Sequence, residues 1–256
     1  MINKKIMMVC LAGASLLSAG LAYAEEEQEA TQNWHVTISG KAWNESWSTW
    51  TYLNTNSASP PVGTTINTSD NKIAGIVGVT ARYRNFFVGG NYAPSTEFNF
   101  ADVAQIYKRS EGDLNVCYYL HPQIGVSLGY KQVKVDYSPG AGGGKWTHKF
   151  ITLGINAAAR MGESRFFMYE NGAFSLSGTT ATTQDANFEA AGLSKGTPTY
   201  RSLESGLGLS VTRGLILTMG YKFQQVELPY TWSGNGVTEN TRDTTNGFIF
   251  GMAYTF

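Results

Sequence analysis

The 256-residue sequence is poor in cysteine, histidine and charged residues. Its two cysteines are Cys10, inside an apolar N-terminal segment, and Cys117, so the rest of the chain has no partner for an internal disulfide. Charged residues make up 15% of the chain, against about 25% in ordinary soluble domains. The formal net charge is +0, which argues against nucleic acid as a partner.

Long apolar runs are also missing beyond the N-terminal segment. A membrane-spanning helix needs about 20 mostly apolar residues in succession, and no later segment of this chain has them. The chain is instead rich in aromatic residues, at 13%, and in glycine, with 29. If a membrane holds this chain, the remaining way to satisfy its backbone hydrogen bonds is a closed β-barrel.

The N-terminus has the three parts of a secretory signal peptide. Lysines occur in the first five residues, the apolar run Ile6–Leu21 follows, and the small-residue triplet Ala22-Tyr23-Ala24 precedes an acidic stretch. We expect a signal peptide over residues 1–24 that is cleaved after the triplet; a retained membrane anchor is the alternative. Residues 25–33 then form an acidic leader, and residues 34–256 form the barrel domain.

The C-terminal segment 247–256 alternates strictly between two kinds of side chain. Every second position is large and apolar or aromatic, namely Phe248, Phe250, Met252, Tyr254 and Phe256, whereas most positions between them are small. Period-2 alternation of this kind is typical of barrel strands. Nine further segments upstream alternate in the same way, although Phe86–Ala93 and Arg165–Phe174 have aromatic residues on both faces.

The connections between these segments are alternately short and long. The short turns are at Arg84-Asn85, His121–Gln123, Met161–Ser164 and Arg213-Gly214. The long polar connections are at Asn54–Asn71, Pro94–Lys108, Ser138–Lys145, Ser175–Thr199 and Pro229–Asp243. Membrane barrels have short periplasmic turns and long extracellular loops. The sequence therefore predicts an all-β fold, a transmembrane antiparallel up-and-down β-barrel of about 10 strands with periplasmic termini.

The Ala22-Tyr23-Ala24 triplet, the alternating segments and the terminal Tyr254-Thr255-Phe256 together resemble the small outer-membrane β-barrel proteins of Gram-negative bacteria, over essentially the whole chain. In that superfamily the last strand ends in Phe and is read by the barrel-assembly machinery, a signal that Phe248, Phe250, Tyr254 and Phe256 match. The resemblance implies export to the bacterial outer membrane through a cleaved signal peptide. It also implies outer-membrane lipid, lipopolysaccharide and the assembly machinery as partners, without indicating a subfamily.

Eight charged residues fall at predicted inward positions: Lys41, Glu45, Arg82, Asp113, Lys131, Glu170, Glu204 and Lys222. Positive and negative charges are equal in number, and isolated charges inside a narrow barrel are costly. We expect an ion-pair network that fills the lumen, because about 8 strands leave an interior that side chains fill and roughly 16 leave a channel. The alternative is a polar lining that admits water and small solutes, for which inward glycines leave room.

Aromatic residues are concentrated near both predicted ends of the strands. One group is near the extracellular ends: Trp43, Trp47, Trp50, Tyr137, Trp146, Tyr230 and Trp232. The other is near the periplasmic ends: Phe86, Phe87, Tyr118, Phe166, Phe167 and Phe256. Such rings favour membrane–water interfaces, so we expect two aromatic belts. A carbohydrate-stacking site at the extracellular group is the alternative.

The three histidines, His35, His121 and His148, form no recognisable catalytic or metal-binding motif. Omptin-like proteases need paired aspartates and an Asp–His pair near the outer rim, but no Asp-x-His surrounds His148, the histidine expected there. Lipid A deacylases need a His-x-Ser arrangement with a Glu, and this sequence has no such spacing. We expect no enzymatic activity, no cofactor and no metal site.

Two functions fit such a barrel. The long connections present a polar surface suited to an extracellular ligand, which favours a structural or surface-interaction barrel with a largely filled lumen. The alternative is a narrow porin-like channel for ions or small solutes. A secreted soluble β-sandwich is the remaining alternative fold.

Overall fold

The structure, a computed structural model, describes residues 34–54, 64–100, 105–138, 144–183, 193–232 and 238–256. These residues form twelve strands of one antiparallel sheet. The long strands are β1 (Trp34–Asn54), β3 (Lys72–Tyr83), β4 (Phe86–Phe100), β5 (Gln105–His121), β6 (Ile124–Ser138), β7 (Gly144–Arg160), β8 (Phe166–Thr182), β10 (Thr199–Ser210), β11 (Leu215–Trp232) and β12 (Thr238–Thr255). The short strands are β2 (Thr64–Thr68) and β9 (Leu193–Lys195). The predicted signal peptide and acidic leader lie outside the described residues.

Each long strand pairs with the long strands that precede and follow it in the chain, and β12 returns to pair with β1. At this seam the Phe256 amide donates to the Val36 carbonyl oxygen at 3.0 Å. The hydroxyl oxygens of Thr37 and Thr255 lie 2.6 Å apart across the same seam. The sheet is thus a closed barrel of ten strands, and the predicted up-and-down barrel is confirmed. The periplasmic location of the termini stays a prediction.

The two ends of the barrel differ. At one end, consecutive strands join through short turns at residues 84–85, 122–123, 161–165 and 211–214. We call this the short-turn end and the opposite one the long-loop end. Trp34 pairs with Tyr83 beside the first short turn, and Phe256 bonds to Val36 close by. Both ends of the described chain therefore lie at the short-turn end.

The outer face of the barrel is apolar over the part nearer the short-turn end. On β12, Phe248, Phe250 and Met252 are 57%, 51% and 56% exposed, whereas Ile249 between them is 1% exposed. Large exposed apolar side chains occur on all ten long strands. A continuous apolar surface of this kind needs a non-aqueous neighbour, and membrane barrels place lipid there. Among the described residues no helix is long and apolar enough to cross a membrane.

Toward the long-loop end the alternation is inverted. On β4, Phe98 and Phe100 point into the barrel and are buried, whereas Glu97 and Asn99 are exposed. We call the apolar part of the outer face, nearer the short-turn end, the lipid-facing belt. Between this belt and the long-loop end the outer face meets water, so the polar side chains lie outside and the apolar ones inside. For this reason β4, β5, β8, β11 and β12 extend into segments that the sequence predicts as long polar connections.

Gly206 and Gly220 face each other across β10 and β11. A Cβ atom on Gly206 would overlap the Met219 carbonyl oxygen and lie 2.7 Å from Gly220 Cα and from the Tyr169 hydroxyl. Because two of these obstacles are backbone, we expect Gly206→Ala to lower the free energy of unfolding by about 1–3 kcal/mol. Urea unfolding in lipid vesicles, followed by tryptophan fluorescence, measures this change.

The matched control is Gly75→Ala on the outer face of β3, where a Cβ atom meets nothing within 4 Å. Its free energy of unfolding should stay within about 0.5 kcal/mol of the wild-type value. Equal losses for the Gly206 and Gly75 variants would show that the β10–β11 contact is not as tight as described.

Candidate functional site in the barrel lumen

Charged residues cross the lumen in its middle part, with Glu111 at the centre. The Glu111 carboxylate lies 2.6 Å from Arg109 Nη2 and 2.5 Å from Lys131 Nζ. Gln224 Nε2 donates to it at 3.1 Å, and Lys131 Nζ also lies 3.7 Å from Asp113. Arg109, Glu111 and Lys131 are buried. These contacts compensate charges that would be costly to bury alone.

A second set of contacts is centred on Glu204 and Trp43 and includes two contacts between strands that are not neighbours in the sheet. Lys41 Nζ on β1 lies 3.4 Å from Glu204 Oε1 on β10, and the Tyr169 hydroxyl donates to the same oxygen at 3.5 Å. Lys222 Nζ on β11 lies 4.5 Å from the centre of the Trp43 ring, a cation–π contact. Because β11 and β12 separate β1 from β10 in the sheet, the Lys41–Glu204 ion pair crosses the lumen.

We call these groups the charged layer: Lys41, Glu45, Arg109, Glu111, Asp113, Lys131, Glu204 and Lys222. The layer has equal numbers of cations and carboxylates. The void among its side chains is about 80 Å³, which has room for a few water molecules. A solute larger than water therefore meets side chains that are already paired with one another.

The structure brings six of the eight predicted lumen charges into this layer: Lys41, Glu45, Asp113, Lys131, Glu204 and Lys222. Arg82 lies at the short-turn end instead, where its Nε donates to the Arg84 carbonyl oxygen at 2.9 Å. The inward placement of Glu170 is wrong, because its side chain is exposed on the outer face of β8. Tyr169 and Asn171 take the inward positions on either side of it.

Arg109 and Glu111 are central to the layer but are not among the predicted lumen residues. The reason is that the predicted strand begins only at Asp113. The signal that finds them is spacing: Arg109, Glu111 and Asp113 are each two residues apart, so a strand extended by four residues places all three on one face.

A second layer of buried apolar residues lies against the charged layer on the side of the long-loop end. We call it the aromatic layer: Trp47, Phe98, Phe100, Val133, Val135, Phe150, Tyr200 and Val226. Its members come from β1, β4, β6, β7, β10 and β11, so it spans the lumen. The two layers touch, since the Arg109 guanidinium lies 5.4 Å from the Trp47 ring centre and Lys131 Nζ lies 5.9 Å from that of Tyr200.

The rings of the aromatic layer pack edge to face around Trp47. Its ring centre lies 5.4 Å from that of Phe98 and 5.2 Å from that of Phe100. Phe98 has an exposed fraction of 0%, so neither solvent nor lipid reaches it. This packing is that of a protein interior.

The predicted extracellular aromatic belt is wrong for Trp43, Trp47 and Tyr230, which are buried inside the barrel. It is also wrong for Trp146, which packs against the aromatic layer inside the barrel. For Trp47 and Tyr230 the cause is the inverted alternation, which turns aromatic residues inward where the strands rise above the lipid-facing belt. Trp43 lies lower, opposite Ile249, and faces inward like its alternate neighbours Lys41 and Glu45. The side chains of Trp50, Tyr137 and Trp232 lie outside the described residues. At the short-turn end, Phe87 and Phe167 also point inward, whereas four others are exposed on the outer face: Phe86, Tyr118, Phe166 and Phe256.

A void of about 360 Å³ lies between the aromatic layer and the long-loop end. We call it the cup. Its apolar wall includes Trp47, Phe100, Tyr107, Trp146, Leu228 and Tyr230, and its polar groups include Thr49, His148 and Asp243. His148 Nδ1 lies 2.8 Å from Thr180 Oγ1, and the Thr49 hydroxyl donates to the Asp243 carboxylate. The cup thus combines aromatic walls with hydrogen-bonding groups.

His148, the histidine considered for catalysis, is part of the wall of the cup. Its ring is stacked with those of Trp146 and Phe150, each at a centroid distance of 6.3 Å. Across the part of the chain that the structure describes, no group of three or more His, Cys, Asp or Glu side chains is placed to hold a metal ion.

The closed ten-strand barrel with an apolar outer face is the fold of outer-membrane β-barrel proteins. The outer membrane protease OmpT from Escherichia coli is similar, at 13% identity and a TM-score of 0.56, over 90% of this chain and 99% of OmpT. The translocator domain of the autotransporter NalP from Neisseria meningitidis is 8% identical, with a TM-score of 0.42, over 92% of this chain and 93% of that domain. At 13% identity the likeness to OmpT is one of fold.

No protein-family model matches the sequence, and no curated protein matches it. The resemblance to small outer-membrane barrels is therefore confirmed through the fold, and the function has to be argued from the lumen.

Proposed function

We propose that this protein is a bacterial outer-membrane barrel that acts at the cell surface with a closed lumen, and not as an open pore or an enzyme. The observation that carries the proposal is the aromatic layer, whose residues come from six strands and whose Phe98 is 0% exposed. A pore needs a continuous wet path, and a packed layer of this kind interrupts it.

The charged layer supports the same proposal. An ion that moved through it would have to separate the Arg109–Glu111 and Lys131–Glu111 contacts at 2.6 Å and 2.5 Å. Two stacked barriers, one apolar and one ionic, therefore favour a lumen that does not conduct.

The proposal includes an orientation. The short-turn end, with both ends of the described chain, would face the periplasm, and the long-loop end would face outward. The belt would contact lipid, with lipopolysaccharide in the outer leaflet. Phe248, Phe250 and Tyr254 are exposed on the outer face of β12, and Phe256 is exposed directly after its end, which leaves all four open to the barrel-assembly machinery. Export through a signal peptide cleaved after Ala24 is part of the same proposal.

Whole-cell thiol labelling tests this orientation. Cys117 is 1% exposed, so the native thiol should give little background. Thr68→Cys is exposed at the long-loop end and Glu163→Cys is exposed in a short turn. With a membrane-impermeant maleimide we expect intact cells to label the Thr68 variant alone and lysed cells to label both. Labelling of the Glu163 variant alone in intact cells would show that the orientation is the opposite of the proposed one.

The surface role predicts that a binding partner contacts the long-loop end. Deleting residues 184–192, inside the longest predicted connection, should abolish adhesion of cells to extracellular matrix while the barrel still folds. Folding is checked by faster gel migration before boiling. Adhesion that is unchanged in a deleted, folded barrel would remove this segment from the proposal.

A narrow channel is the second candidate. The observation in its favour is the polar void of about 80 Å³ in the charged layer. Steady current steps from the purified protein would favour this candidate over the closed barrel.

A further inference from the structure

We infer that the cup is a binding site for small, flat, uncharged aromatic compounds that carry one hydrogen-bonding group. The inference rests on the proposed function in one respect, because a ligand from outside the cell reaches the cup only if the long-loop end faces outward.

The size of the cup sets the size of the ligand. A void of about 360 Å³ lies at the lower end of the roughly 300–1,000 Å³ that small-molecule pockets occupy. One ring or two fused rings fit such a void. The aromatic layer forms its floor, with Trp47 and Phe100 belonging to both, so a ligand would rest there instead of passing through.

The walls select a flat aromatic shape. The Trp146 and Tyr230 rings meet edge to face with centroids 6.1 Å apart, and those of Trp47 and Tyr107 do so at 5.5 Å. Ring faces and edges presented in this way favour a further ring in offset-stacked or edge-to-face contact. Aliphatic Leu228 completes the lining.

The charges near the floor disfavour a charged ligand. The Arg109 guanidinium is held by Glu111 at 2.6 Å, so an anion would have to compete with that carboxylate. Asp243 already accepts a hydrogen bond from Thr49 and interacts electrostatically with Arg109, so a ligand cation would have to compete with that guanidinium. A neutral hydroxyl or ring N–H group of a ligand can still donate a hydrogen bond to an acceptor in the wall of the cup, such as Asp243 or His148. Such a ligand brings no charge of its own into the cup.

Calorimetric titration of the full-length mature protein in detergent tests the inference, with indole as the probe. We expect saturable binding of about one indole per barrel. Two variants alter the cup: Thr241→Phe adds a ring at a half-buried lining position, and Tyr230→Ala removes a wall. Each should weaken indole binding by at least about tenfold, Thr241→Phe because the added ring occupies the space of the ligand and Tyr230→Ala because the ligand loses aromatic contacts.

The matched control is Tyr221→Ala, which removes the same kind of side chain from the same strand but from the outer face, where Tyr221 is 46% exposed. It should bind indole within about twofold of wild type. Equal heats for wild type and the Thr241 variant would mean that indole only partitions into detergent, and would overturn the inference. Binding of choline or glucose but not indole would overturn the ligand class.

Failure of this inference and failure of the proposed function are distinguishable. If the protein neither conducts ions nor binds indole, the inferred ligand site is wrong and the proposed closed lumen stands. If the protein binds indole and also conducts ions, the proposed closed lumen is wrong and the inferred ligand site stands.

Discussion

Glu111→Ala is expected to lower the free energy of unfolding by about 3–5 kcal/mol, because it leaves buried cations without their shared carboxylate. In the wild type that carboxylate lies 2.6 Å from Arg109 and 2.5 Å from Lys131, and Gln224 donates to it at 3.1 Å. Two like charges would remain close together in an interior with room for only a few waters. Urea unfolding in lipid vesicles gives the loss directly.

The control for this variant is Glu97→Ala. Glu97 also forms an ion pair, with Lys108 at 3.6 Å, but the two side chains are 52% and 51% exposed. Exposed pairs of this kind contribute about 0–1 kcal/mol. If Glu111→Ala cost no more than Glu97→Ala, water would have to reach the charged layer freely, and the closed lumen would be contradicted.

Stability lost in the Glu111→Ala variant should be partly recovered when the cations that Glu111 pairs with are removed as well. Replacing Arg109, Glu111 and Lys131 together by Leu or Met removes all three charges and retains most of their volume. Asp113 loses its 3.7 Å contact with Lys131 but keeps the hydrogen bonds that Asn91 and Asn115 donate to it at 2.9 Å. Buried ion networks replaced in this way by apolar residues are often neutral or gain about 1–4 kcal/mol. The triple variant should therefore be more stable than Glu111→Ala alone, which separates the effect of unpaired charge from that of lost volume.

Phe98→Ala is expected to cost about 3–5 kcal/mol, since truncation of a fully buried phenylalanine loses transfer free energy and leaves a cavity. Phe98 is 0% exposed and packs edge to face on Trp47. Its position in the aromatic layer means that the cavity cannot be filled by lipid from outside. The same vesicle unfolding assay measures the loss.

Phe98→Leu is the matched control for the aromatic layer. It retains most of the apolar volume, and volume-conserving apolar changes cost less than about 1.5 kcal/mol. A loss below about 1 kcal/mol for Phe98→Ala itself would show that the layer is loosely packed. It would then be a weak barrier in the lumen.

The sequence predicts the fold well because the lipid-facing belt forces a simple pattern. Where lipid surrounds the strand, large apolar side chains must point outward at every second position, as Phe248, Phe250 and Met252 do. Short turns are equally visible, since they leave no room for other structure. These two signals suffice for the barrel and its strand count.

The dependence of outward-facing side chains on their surroundings also explains why strand ends and aromatic residues beyond the lipid-facing belt are predicted wrongly. There the outer face meets water, so Phe98 and Phe100 turn inward while Glu97 and Asn99 turn outward. A search for apolar residues facing outward therefore ends each strand too early and places Trp47 and Tyr230 on the wrong face. The error at Glu170 has a different cause: adjacent Phe166 and Phe167 are both aromatic, so alternation alone does not fix the register of β8.

Contacts across the lumen are beyond sequence reasoning of this kind. The Lys41–Glu204 ion pair joins residues 163 positions apart on strands that do not pair. Which charged residues meet depends on the register of every strand between them. This accumulated register cannot be read from a local sequence pattern. The cup is hidden for the same reason, since its wall comes from strands at both ends of the chain.

Single-channel recording in a planar bilayer tests the closed lumen most directly. The folded protein, verified by its heat-dependent gel migration, is inserted beside a sample of an open porin reconstituted in the same way. The structure predicts no current steps above baseline from this barrel while the porin conducts. Steady, reproducible steps from the folded wild-type protein would contradict it, because ions would then cross both the aromatic layer and the charged layer.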